Sequence, residues 1–337
     1  MENKCVFCGT SFRVPEHGEL IANHEVLDLT DKLTDYDTNE TGTHYRFHSP
    51  DELRTALENE VDNSSEEQWV KITDGTTDRT YSIAVNHLYY RLTSPEMADI
   101  IHEGAFESHL QPIVHMSDEI VFGYEALLRT HDRRFNPGQL FEFASKAGLH
   151  SMLDQKARKS AVEAKSVAVP TGQKIFINFL PSTIYVPEFC LKHTFHLIEK
   201  YNIDPADVIF EVVETEKVSD VDHLKNIFDT YKKSGMKVAL DDVGSGYSTL
   251  EMLTLLKPDF VKIDRSYITD CHKNTVNQNF LFDVIARAKG LGITTLAEGI
   301  ETEEEWNWLK EAGIDLGQGY YISKPQPYKE LATSLPS

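Results

Sequence analysis

Two adjacent carboxylates, Asp241 and Asp242, close the apolar run Val238 to Leu240 and lead at once into a loop with glycines at 244 and 246. This reads as a buried strand that ends at a site of chemistry. Side chains alternate along a strand, so neighbouring aspartates converge on one target only where the strand breaks up at its C-terminal edge. Buried acids are costly unless a positive charge neutralises them, and a divalent cation is a common solution. An acidic turn before a helix cap has the same residues, so the other strands must decide.

They repeat the pattern. Glu125 lies in Tyr124-Glu-Ala-Leu-Leu-Arg129, Asn178 in Ile177-Asn-Phe-Leu-Pro181 and Glu211 in Phe210-Glu-Val-Val-Glu214. Lys262 lies in Val261-Lys-Ile-Asp264, Glu298 in Ala297-Glu-Gly-Ile-Glu301 and Gln318 in Gly317-Gln-Gly-Tyr320. Taken singly, each has a structural role open to it: Glu125 paired with Arg129, Lys262 with Asp264, Asn178 capping the turn before Pro181. Ion pairing does not explain why every polar interruption falls at the same end of its run.

The donors are carboxylates and one amide, with no cysteine or histidine among them. Hard oxygen ligands of this kind suit Mg²⁺ or Mn²⁺. The five acids exceed what one ion needs, so two ions about 3.5–4 Å apart, clamping a phosphoryl group, are expected. Lys262 would set a fixed positive charge beside the attacking water or the phosphate oxygens. Glu298 would be the general base or a ligand of the second ion, and the residues leave both open.

A scaffold must bring these ends together. From about residue 105, strand-like runs (110–115, 121–128, 174–179, 208–213, 237–240, 260–263, 294–297, 319–322) alternate with amphipathic stretches (139–146, 152–166, 221–233, 280–289, 303–312). Repeated strand and helix alternation predicts an α/β fold, a parallel sheet closed as a (β/α)8 TIM barrel, whose C-terminal strand ends share one face. Only Met116 to Ile120 separates the first two runs, too little for a crossover helix, so the first strand should be antiparallel and the barrel a modified one.

Residues 1–95 read as a separate small α+β module, ahead of a barrel over 96–337. Ser49-Pro50 opens a helix, Tyr45 to His48 suggests a short strand, and 69–73 with 80–84 suggest a hairpin. Asp28 to Thr43 is polar and reads as a loop. Cys5 and Cys8 form half of a zinc knuckle with the second half missing; His17 and His24 are candidate completing ligands, and a zinc site shared between two chains, a redox pair or two plain thiols are the alternatives.

With 33 Lys and Arg against 54 Asp and Glu, the formal charge is -21, which disfavours binding to nucleic acid polymers and anionic membrane surfaces. No run approaches the roughly 20 apolar residues needed to span a bilayer and no signal core opens the chain, so a soluble cytoplasmic protein is expected.

The residues then resemble a known family, the EAL-domain cyclic di-GMP phosphodiesterases, over roughly 100–330. The resemblance rests on Gln111-Pro-Ile-Val114, Glu125-Ala-Leu-Leu-Arg129, Asn178 before Pro181, Glu211-Val-Val-Glu214, Asp241-Asp-Val-Gly-Ser-Gly-Tyr-Ser-Thr-Leu250, Lys262-Ile-Asp264, Ala297-Glu-Gly299 and Gln318-Gly-Tyr320, in that order. It implies hydrolysis of cyclic di-GMP to linear pGpG, with metal ligands at Glu125, Asn178, Glu211, Asp241 and Asp242. It implies that Lys262 and Glu298 act on the attacking water, and that Gln111, Arg129 and Gln318 lie near the nucleotide. It assigns Glu214 to positioning the loop after Asp242, and it implies a homodimer formed near that loop. Val243 departs from the family, where phenylalanine is more usual. A catalytically silent cyclic di-GMP receptor is the rival reading, and the complete set of acids argues against it.

Overall fold

The computed structural model describes residues 12–23, 27–61, 68–75, 79–132, 134–212, 221–244 and 250–334. Cys5, Cys8 and Glu214 lie outside the described residues, as does most of the loop after Asp242.

In chain order the elements are β1 (Gly18–Ala22), β2 (Tyr36–Asn39), β3 (Gly42–Phe47), α1 (Pro50–Leu57), β4 (Trp69–Thr73), β5 (Tyr81–Ala84), α2 (Val85–Thr93) and α3 (Pro95–Glu103). Then come β6 (Phe106–His115), β7 (Val121–Thr130), α4 (Pro137–Lys146), α5 (His150–Ala168), β8 (Lys174–Phe179), α6 (Pro187–Cys190), α7 (Lys192–Lys200), β9 (Val208–Val212), α8 (Val221–Lys233) and β10 (Lys237–Val243). The last are α9 (Leu250–Leu256), β11 (Phe260–Ile263), α10 (Arg265–Ile268), α11 (Thr275–Leu291), β12 (Thr294–Ala297), α12 (Glu303–Ala312), β13 (Leu316–Gly317), β14 (Gln326–Pro327) and α13 (Tyr328–Ser334). Two compact units result: Met1–Ala105 with Thr130–Leu153, and Phe106–Arg129 with Asp154–Ser337.

The first unit is built on an antiparallel sheet in the order β2-β3-β1-β4-β5. Alternation puts Leu20, Ala22, Tyr45, Phe47, Val70 and Ile72 on one buried face, covered by Leu53 and Leu57 of α1 and Leu88 and Leu92 of α2. Ser49 caps α1 by accepting from Glu52 N at 3.1 Å, and Pro50 occupies its first turn, as its sequence predicts. The expected loop over 28–43 is in part a hairpin: β2 pairs with β3 in antiparallel register. All four residues of β2 are exposed, so its polar sequence carries no burial alternation to read. Arg91 of α2 is buried and donates to Ala147 O at 2.9 Å, joining the segment after α4 to this unit.

The second unit is a closed barrel. Strands β7 to β13 follow one another in sheet order, and β13 closes antiparallel onto β6. The neighbouring pairs from β7 to β13 are all parallel. The antiparallel first strand is therefore as the short 116–120 connection predicts. One strand differs from expectation: the eighth is Leu316–Gly317, and 319–322 turns. Ile322 N and Ser323 N both bond back to Gly319 O, which curls the chain away from the sheet. No helix among the described residues is long and apolar enough to cross a membrane.

Candidate active site

The barrel interior is organised by the period of two. A buried apolar layer contains Ile113, Phe176, Ile209, Ala239, Phe260, Leu296 and Leu316. Two residues further along six of the seven parallel strands, β8 to β13, on the same face, come Asn178, Glu211, Asp241, Lys262, Glu298 and Gln318. Gln111 precedes Ile113 by two, as it must on the one strand that runs the other way. Each of these seven strands thus contributes an apolar side chain to the core and a polar one to the mouth above it. Glu125 joins them from β7, level with Phe176 of β8 in the strand register.

Asp242 would point outward in a regular strand. Here the register with β11 shifts between Leu240 and Val243, and Asp242 adopts a left-handed φ of 52°. A bulge of this sort re-aims a side chain, so that Asp241, Asp242 and Glu298 each offer an oxygen within 4.8 Å of the others.

Lys262 is the hub. It is 1% exposed, and its Nζ lies 2.8 Å from Glu211 Oε2, 2.8 Å from Glu298 Oε1, 3.0 Å from Asp241 Oδ1 and 3.6 Å from Glu125 Oε1. Asn178 Nδ2 donates to Glu211 Oε1 at 2.6 Å and to Glu125 Oε1 at 3.2 Å. Gln318 Nε2 donates to Glu125 Oε2 at 2.8 Å and to Gln111 Oε1 at 3.2 Å, while Gln111 Nε2 donates to Ser323 O. Asp264 does not pair with Lys262; it caps α10 by accepting from Ser266 N at 3.0 Å. Arg129, half-buried at the end of β7, donates to Leu128 O at 2.8 Å.

The cluster is short of positive charge. Burial drives Glu211 and Glu298 well above the usual carboxylate range against the pull of Lys262, and it raises Asp241 in the same way. Asp242 is pushed up to about 6 by burial and then by Asp241. Burial also acts on Glu125, but Lys262 and the amide bonds outweigh it and hold that group low. Burial would lower Lys262, yet its acidic neighbours raise it well above the usual lysine range. Four carboxylates around a single ammonium, with Asp242 beside two of them, present hard oxygens that fit a site for divalent cations.

Beside the acids is a cleft of about 220 Å³, lined among others by Gln111, Glu125, Glu298, Gln318, Arg265 and Tyr320. Arg265 and Tyr320 are additions to the sequence-derived set. Arg265 pairs with Glu301 at 2.7 Å, and its side chain lies where a Cβ on Gly299 would fall. Their signal was adjacency alone: Arg265 follows the run Lys262 to Asp264 by one residue, and Tyr320 closes the run that begins at Gln318.

A closed barrel with an acid-rich mouth defines the class, and comparison defines the family. The EAL domain family model matches residues 96–325, and this chain belongs to that family. It is 31% identical over 240 residues to a probable cyclic di-GMP phosphodiesterase, PdeG, of Escherichia coli K12, covering 68% of this chain and 46% of that protein. The chain thus spans about half the length of that curated relative. A standalone EAL protein from Vibrio cholerae O395, solved in its c-di-GMP bound form, is 36% identical with a TM-score of 0.60, covering 70% of this chain and 96% of the other. The manganese and cy-diGMP complex of Klebsiella pneumoniae BlrP1 is 31% identical with a TM-score of 0.62, covering 66% of this chain and 56% of the other.

Proposed function

We propose that this chain hydrolyses one phosphodiester bond of cyclic di-GMP, giving linear pGpG, with Mg²⁺ or Mn²⁺ held by Glu125, Asn178, Glu211, Asp241 and Asp242. The observation that carries the reading is the convergence of four carboxylates, Glu125, Glu211, Asp241 and Glu298, on a single buried ammonium, Lys262, with Asn178 bridging two of them and Asp242 grouped with Asp241 and Glu298. Two divalent ions, when bound, supply Lewis acidity to the phosphoryl oxygens. Glu298, with its raised proton affinity, takes the proton of the attacking water. Lys262 holds a fixed positive charge against the negative charge that develops on the phosphoryl group. Gln111, Gln318 and Arg129 orient the nucleotide, and Glu214 positions the loop that follows Asp242. The active form is a cytoplasmic homodimer, and residues 1–95 regulate it.

The relatives support the substrate. One is named as a probable phosphodiesterase of this dinucleotide, and two solved structures hold it, one of them with manganese. The test is incubation of the purified chain with cyclic di-GMP and Mn²⁺ or Mg²⁺, following pGpG by chromatography against a chelator control. Metal-dependent pGpG that disappears in Glu125→Gln supports the enzyme. Tight nucleotide binding without product would leave a receptor instead.

A further inference from the structure

We infer that Asp154 is a positioning residue for Asn178, acting through the backbone of the loop that leaves β8; this rests on the metal-site reading above. Asp154 lies on α5, is 1% exposed, and has both carboxylate oxygens hydrogen-bonded. Its Oδ1 accepts from Leu180 N at 3.2 Å, and its Oδ2 accepts from Thr183 Oγ1 at 3.0 Å and from Arg158 Nε and Nη2 at 3.0 and 2.7 Å. Arg158, equally buried, donates onward to Thr194 Oγ1 of α7 at 2.5 Å.

What the carboxylate holds is the chain two residues beyond Asn178, at the place where β8 stops and the turn at Pro181 to Thr183 begins. Asn178 in turn bridges Glu125 and Glu211. The tether fixes how far the strand end can shift, and groups that orient a ligand residue in this manner typically change metal affinity 10- to 100-fold when removed.

Two variants separate positioning from stability. Asp154→Leu with Arg158→Met removes both buried charges together, which is often neutral for folding, but it deletes the acceptor for Leu180 N. Asp154→Asn keeps an acceptor oxygen for Leu180 N and leaves Arg158 buried without its counter-charge, so it should be the less stable of the two. Mn²⁺ binding is read by electron paramagnetic resonance of the free ion, and stability by thermal unfolding in chelator. The expected result is opposite ranking: the double variant is the more stable but binds Mn²⁺ at least tenfold more weakly than wild type, whereas Asp154→Asn is less stable but binds Mn²⁺ more tightly than the double variant. If affinity follows stability in the same order, or if the double variant binds Mn²⁺ as wild type does, the positioning role is wrong and the metal site stands. Wild-type protein that binds no Mn²⁺ overturns both.

Discussion

Lys262 Nζ lies 2.8 Å from Glu211 Oε2 at the centre of the barrel mouth, and Glu211 is 0% exposed. A carboxylate so placed has no water to stabilise it, so the lysine is as much a structural cation as a chemical one. Lys262→Met should therefore cost about 3–5 kcal/mol of stability in chelator, the usual consequence of leaving a buried charge without its partner. Excess Mn²⁺ should recover more stability in the variant than it adds to wild type, while pGpG formation falls about 100-fold or more. Calorimetry with and without Mn²⁺ checks the first pair of expectations; an unfolding midpoint unchanged by the substitution would contradict the buried-hub geometry.

Protons and metal ions compete for these oxygens. The folded pKa of Asp242 is raised to about 6 by burial and then by Asp241, above the ordinary 3.8. A group raised in this way contributes stability that is fully present below 3.8 and is lost as pH rises through about 6, where the proton leaves. Asp241, Glu211 and Glu298 shift in the same direction; Glu125 shifts in the other. Mn²⁺ binding should consequently release protons, and more of them at pH 5.5 than at pH 8, with affinity falling as pH falls. Titration calorimetry in buffers of different ionisation enthalpy measures the number; equal release at both pH values would rule out this coupling.

Gln318 reaches Glu125 because the chain beside it packs directly on the turn after β12. Ile300 N donates to Gln318 O at 3.1 Å, and Tyr321 N donates to Ile300 O at 3.0 Å. A Cβ on Gly319 would lie 2.1 Å from Ile300 O and 2.3 Å from Ile300 N, both backbone atoms that cannot swing aside. Gly319→Ala should cost about 1–3 kcal/mol and displace Gln318, lowering kcat/KM about tenfold, while Gly290→Ala, on α11 where a Cβ meets open space, should leave kcat/KM unchanged and cost no stability. Steady-state kinetics and thermal unfolding of the two variants decide it.

The polar layer was legible because Asn178, Glu211, Asp241, Lys262, Glu298 and Gln318 each follow an inward apolar residue by two, a pattern present in the sequence whatever the partners. The barrel followed from strand and helix alternation for the same reason. What could not be read were relations between distant segments. Arg265 lies at the cleft through its pairing with Glu301, on another loop. Asp154 and Arg158, four apart on a helix, have the spacing of a solvated surface pair, and only the packing of β8 and α7 around them makes them buried. In the first unit, the strand expected at Tyr45 to His48 is the end of β3, whereas β2 was hidden because an exposed edge strand needs no alternating pattern.

The first unit carries its own pH dependence, centred on Gly148 and His87. Gly148 has φ of 62°, and a Cβ there would fall 2.5 Å from His87 Nδ1 and 2.9 Å from its Cε1. Gly148→Ala thus combines a left-handed backbone with a clash against a packed ring, and it should destabilise this unit by about 1 kcal/mol or more. The His87 ring is held neutral: burial, then the charges of Arg91 and His150, lower its pKa from 6.5 to about 4. Between those values the unfolded chain binds a proton that the folded one refuses, so stability falls as pH drops from about 6.5 towards 4. Hydrogen exchange, corrected for intrinsic rates, should show α2 and residues 137–148 less protected at pH 5 than at pH 7. His87→Gln should lose most of that difference; equal protection of the wild-type segments at both pH values would mean that His87 does not stay neutral in the fold.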